Sequence, residues 1–111
     1  MHELVGKIQL AMSMGAYDQV VKYYLQSEAT VRLFPEEQSF ALEHVQAEEY
    51  ARRLRTILEG RITDVKRPLE DVSNDAQLLL RLHVPEQEVM VSIHKQFSFL
   101  LFSISSHSSP L

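Results

Sequence analysis

The chain contains no cysteine. That excludes a disulfide framework and a thiolate metal site, and a cytosolic or nuclear setting is the simplest expectation. Glycine and proline are scarce, three and four in 111 residues. They are spaced as punctuation rather than as a linker, and three distant glycines cannot form a phosphate-cradling loop. Basic charge is not in surplus: 11 Lys and Arg face 15 Asp and Glu, a formal net charge of -4, the wrong sign for a general nucleic-acid binder. The most apolar stretch, Phe97–Ile104, is far shorter than the ~20 residues that span a bilayer, so no integral membrane span is expected. No stretch sustains period-two alternation, so no sheet is expected. The first ten residues, MHELVGKIQL, place charges in the opening turns and offer no small-residue cleavage site, unlike a signal peptide.

What the chain does have is helical periodicity, clearest in Gly15–Leu33, GAYDQVVKYYLQSEATVRL. Tyr17, Val20, Val21, Tyr24, Leu25 and Val31 fall on one stripe, with Asp18, Gln19, Lys22, Gln26 and Glu28 opposite. Gly15 precedes this helix where an earlier one, His2 to about Met14, should stop, because glycine enters the left-handed C′ conformation without a Cβ penalty. Leu4, Val5, Ile8, Ala11 and Met12 form the stripe of that earlier helix. Pro35 disfavours helix at Phe34 and ends the second helix. Ser39 is a suitable N-cap for the third, with Glu43 placed against the helix dipole.

The third helix is expected from Phe40 to about Val65, on the order of 40 Å long, with Gly60 bending or ending it. Such a length suggests a rod-like bundle. Lys66-Arg67-Pro68 breaks the pattern. Leu69, Val72, Ala76, Leu79, Leu80 and Leu82 then give a fourth helix, with a restart expected at Ser73-Asn74-Asp75. Pro85, as N1 residue, opens a fifth through Val89, Ile93, Phe97, Leu100 and Ile104, and residues 105–111 read as a disordered tail. The expected fold is therefore all-α: an elongated antiparallel bundle of about five helices in one domain, residues 1–104.

Few constellations suggest chemistry. His44 and Glu48 stand at i, i+4 and could form one edge of a metal site, but no second pair with ligand spacing accompanies them, and a solvated helix face is the simpler expectation. The five scattered histidines sit beside no nucleophile in a strand–turn–helix setting. The chain is thus expected to be non-enzymatic, with no catalytic residue, metal or cofactor. Arg52, Arg53, Arg55, Arg61, Lys66 and Arg67 form one basic cluster, within reach of acidic phospholipid or an acidic partner. Glu48 with Arg52 and Glu49 with Arg53 are pairs in the favourable i, i+4 order, as on a solvated face. Tyr23 lies off the core stripe and is a candidate partner contact, together with Arg52, Arg53, Phe97, Phe99, Leu101 and Phe102.

Two families share features with GAYDQVVKYY. A tetratricopeptide repeat has a similar first helix, but Glu49 and Ala51 occupy the positions where the pattern should recur 34 residues on. A tetratricopeptide-like adaptor that binds a peptide is therefore the alternative reading. The longer match runs from about Leu4 to Val89: GAYDQVVKYYLQSEATVRLF, the Ser39-Phe40 helix start, a long helix, then AQLLLRLHVPEQEV. This order resembles the segment after the coiled coil in the vacuolar-protein-sorting fifty-one family of GARP and EARP tether subunits, and exocyst and COG subunits are similar. The resemblance implies a non-catalytic all-α rod helping endosome-derived vesicles reach the trans-Golgi network. Its implied partners are the other tethering-complex subunits, and its implied place is cytoplasmic, peripheral at the trans-Golgi network or endosomes. The coiled coil and SNARE-contacting segment that precede this region in such tethers do not appear in the sequence. Phe97–Leu111 also turns apolar and then Ser-rich, as in a fragment or a divergent isoform.

Overall fold

The computed structural model describes residues 3–64 and 66–95, and every regular element among them is an α-helix. In chain order these are α1 (Glu3–Ser13), α2 (Tyr17–Leu33), α3 (Gln38–Ile62) and α4 (Leu69–Arg81), followed by α5 over residues 86–95. The all-α architecture expected from the periodicity is what forms. The chain divides into two compact units, Met1–Thr56 and Ile57–Leu111, with the boundary inside α3.

In the first unit, α1 and α2 make a hairpin closed at Gly15, whose φ of 71° is the left-handed conformation required of it. The Gly15 amide bonds to the Met12 carbonyl at 3.2 Å and the Ala16 amide reaches back to Ala11 at 2.9 Å. This is the double bond pattern of a Schellman cap, and it satisfies carbonyls that the end of α1 would otherwise leave open. The core takes Ile8 and Ala11 from α1, Val20, Val21 and Tyr24 from α2, and Ala47, Ala51 and Leu54 from α3. Burial of each large aliphatic side chain contributes about 1.5–3 kcal/mol. Tyr17, Leu25 and Val31, on the edge of the α2 stripe, are only half-buried, whereas Ser27 is buried among the apolar residues.

Two expectations change at the start of α3. Ser39 is not its N-cap: the helix already includes Gln38, and the Ser39 hydroxyl donates to Glu37 Oε1 at 3.0 Å. The Glu37 carbonyl accepts the first α3 bond, from Ala41 at 3.3 Å. Glu43, expected against the helix dipole, lies beyond the first turn; it is buried, and its Oε2 has no hydrogen-bond partner.

The second unit begins with the last turns of α3, which bury Leu58 and Ile62. Gly60 does not stop the helix, which runs two residues further. The loop after it turns on Asp64, whose carboxylate accepts from the Lys66 amide at 3.0 Å. Pro68, extended at φ -61° and ψ 148°, immediately precedes α4, where its missing amide costs no helical bond. The restart expected at Ser73-Asn74-Asp75 does not occur, and α4 is one continuous helix through all three residues. The α4–α5 corner repeats the cap seen at Gly15, with a histidine in the left-handed position. His83 has φ 68°, its amide bonds to Leu80 at 3.1 Å, and the Val84 amide bonds to Leu79 at 3.1 Å. Val84 and Leu79 are both buried, the apolar contact that accompanies this cap. Pro85 stands just outside α5 rather than at N1, and its carbonyl accepts from Glu88 and Val89.

Candidate functional site

Three places in the described residues gather polar or apolar groups beyond what folding alone requires. One joins α2 to α3 within the first unit. Ser27 Oγ donates to the Tyr24 carbonyl at 2.8 Å and lies 2.8 Å from His44 Nδ1. His44 Nε2 faces Glu48 Oε1 at 2.9 Å, and the Tyr24 and His44 rings stack with centroids 5.7 Å apart. His44 is thus not on a solvated face: its side chain is 15% exposed and held at both nitrogens. Burial, with the Glu28 and Glu48 carboxylates nearby, holds the Tyr24 hydroxyl above its usual range.

A serine, an imidazole and a carboxylate in series are the parts of a nucleophilic relay. This series cannot serve as one, because Ser27 is 2% exposed and its hydroxyl is already committed to a backbone carbonyl. It is a polar clamp between two helices. Metal binding at His44 and Glu48 gains no support from their surroundings, since no group of three or more potential ligands occurs among the described residues.

The basic cluster does not behave as one surface. Arg52 and Arg53 both pair with Glu49, Arg53 Nε at 3.6 Å. Glu48, expected to pair with Arg52, faces His44 instead. Arg61 and Arg67 converge on Asp75 in the second unit, Arg61 Nε at 3.2 Å and Arg67 at 3.3 Å from Oδ2. The Asp75 side chain is 5% exposed. Its burial raises the carboxyl above its ordinary range, and the two guanidiniums only partly oppose that.

Tyr23 is half-buried, with Lys7 Nζ 5.8 Å from its ring centroid. Exposed Leu10 and Met14 share a shallow depression with it on the α1–α2 hairpin. Phe97, Phe99, Leu101 and Phe102 lie outside the described residues, as does the tail at 105–111.

The third place is an apolar groove between α4 and α5, about 670 Å³ in volume. Val72, Ala76 and Val89 make its floor and are buried. Leu69, Leu80 and Met90 stand exposed along its edges. Among the described residues, the charged ones that line it are Glu70 and Glu86, both exposed carboxylates. Helical spacing puts Leu69, Val72, Ala76 and Leu80 along one face of α4, and Val89 and Ile93 along one face of α5. Sequence reasoning placed every one of these residues on a core stripe. Nothing in the local pattern distinguishes a stripe that is covered from one that lies partly open.

Among the described residues no helix is long and apolar enough to cross a membrane. No protein-family model, curated protein or solved structure matches this chain.

Proposed function

We propose that this chain is a non-enzymatic helical module working through protein–protein contacts, as a subunit or segment of a vesicle tether in endosome-to-Golgi retrograde transport. The observation that carries the interaction reading is the α4–α5 groove, an open apolar surface edged by exposed Leu69, Leu80 and Met90. Contiguous exposed apolar surface of this kind marks an interaction site on a folded protein. The tether setting rests on the ordered resemblance between Leu4 and Val89 to GARP and EARP subunits. Under this reading the partners are other tether subunits, membrane association is peripheral and comes through the complex, and no cofactor takes part.

Affinity capture of the tagged full chain from cell extract, followed by mass spectrometry, tests the tether setting. Recovery of GARP or EARP subunits supports it. Their absence from the capture, in an extract where they are detected directly, overturns it.

A further inference from the structure

The groove has a length, a depth and a sign of charge, and together these define what fits it. From Leu69 to Leu80 its α4 wall covers twelve residues, a rise of about 16 Å at 1.5 Å per residue. That is the length of about three helical turns. A cavity of about 150 Å³ admits one benzene-sized group, so 670 Å³ accommodates about four apolar side chains. Buried Ala76, with its small side chain, lies midway along the α4 wall. A helix laid in a groove presents its anchors at i, i+3 or i+4, i+7 and i+11, which is four side chains over three turns. Both charges at the lining, Glu70 and Glu86, are negative, and the chain as a whole carries a net charge of -4. Among the described residues no lysine or arginine lines the groove.

We infer that the α4–α5 groove receives an amphipathic helix of about three turns from another protein, apolar along one stripe and flanked by Lys or Arg that face Glu70 and Glu86. This rests on the reading of the chain as an interaction module and specifies the chemistry of its partner. Opposed charges at the rim set partner choice and orientation, whereas the apolar anchors supply the buried contact.

The test uses the full chain and two fluorescein-labelled synthetic peptides, each a three-turn helix with the same leucine stripe, one flanked by lysine and the other by glutamate. Fluorescence anisotropy should show the lysine-flanked peptide binding about tenfold more tightly at low salt, with the difference shrinking as salt screens the rim. The double variant Glu70→Lys/Glu86→Lys, altered only at exposed positions, should reverse the preference. Met90→Glu should weaken both peptides. Circular dichroism of each variant verifies its helix content.

Equal affinity for the two peptides, or an unchanged preference in the double variant, overturns the basic-flank assignment while leaving the groove as a docking surface. Binding of neither peptide overturns the groove as a helix site, and capture of tether subunits from extract is then judged on its own. Concentration-dependent light scattering of the full chain that Met90→Glu abolishes makes a second copy the occupant, and likewise overturns the inference.

Discussion

Ser27 Oγ and His44 Nδ1 stand 2.8 Å apart, although 17 residues separate them along the chain. The contact ties the middle of α2 to the first third of α3, and the Tyr24 ring packs on the same imidazole. Ser27→Ala should destabilise by about 1–2 kcal/mol, because it leaves a half-buried imidazole nitrogen without its partner. The double-mutant cycle with His44→Ala, followed by urea denaturation, should give a coupling of about 0.5–1.5 kcal/mol. Strict additivity would mean that the two groups are neighbours without a stabilising bond.

Adjacent tyrosines should respond very differently to truncation. Tyr24 is 8% exposed, and Tyr24→Ala should cost about 2–4 kcal/mol in lost transfer energy and cavity formation. Tyr23→Ala gives up a partly exposed ring and a cation–π contact with Lys7, about 0.5–1 kcal/mol. Equal losses in denaturant melts would mean that α2 is rotated from the orientation described.

Gly15→Ala should destabilise by about 1–2 kcal/mol, the cost of holding an L-residue in the left-handed region. An added Cβ meets no atom within 4 Å, so the loss comes from the backbone alone. Gly15→Asn should recover part of it, as asparagine tolerates this conformation. If Gly15→Ala melted like the wild type, the φ of 71° would not be a constraint in solution.

Asp75 makes a prediction about pH. Burial holds its folded carboxyl above the ordinary aspartate value of 3.8, so the folded state binds the proton more tightly than the unfolded state. The associated stabilisation is present below pH 3.8 and is lost as pH rises through the folded value. Relative to Asp75→Asn, which removes this titration, the wild type should gain stability in urea melts as the pH is lowered from about 7 to near 3. A wild type that loses ground to the variant on acidification would mean that Arg61 and Arg67 outweigh the burial of the carboxyl.

Helix existence and order are legible in this sequence because each apolar stripe has helical period and each break carries Gly, Pro or a polar turn. Val20, Val21 and Tyr24 were assignable to the core by spacing alone. The misreadings concern polar residues whose partners are distant in sequence. Asp75 looks like part of a capping cluster until Arg61 and Arg67 reach it, and continuous α4 wins because that ion pairing and the packing of Val72, Ala76 and Leu79 both require helix at this point. Ser27 escapes notice, and His44 reads as part of a solvated face, for the same reason. His83 shows the opposite limit: the pattern opens a fifth helix at Pro85, but a histidine carries no signal that it takes the place of glycine at the end of the fourth. The groove was invisible because a stripe's periodicity reports which residues face inward, not whether another element covers them.

The two helix corners have a consequence for local opening. Ala16 and Val84 lie outside any helix, yet their amides are bonded to Ala11 and Leu79 inside the preceding ones. To a solvent proton, then, these turn positions belong to the helices. Each corner can release its amide only when the final turn of α1 or α4 loosens with it, and the exchange of those two amides reports the fraying of an entire helical end. In a hydrogen–deuterium exchange map the Ala16 and Val84 amides should therefore exchange in step with the last turns of α1 and α4 rather than as free loop amides.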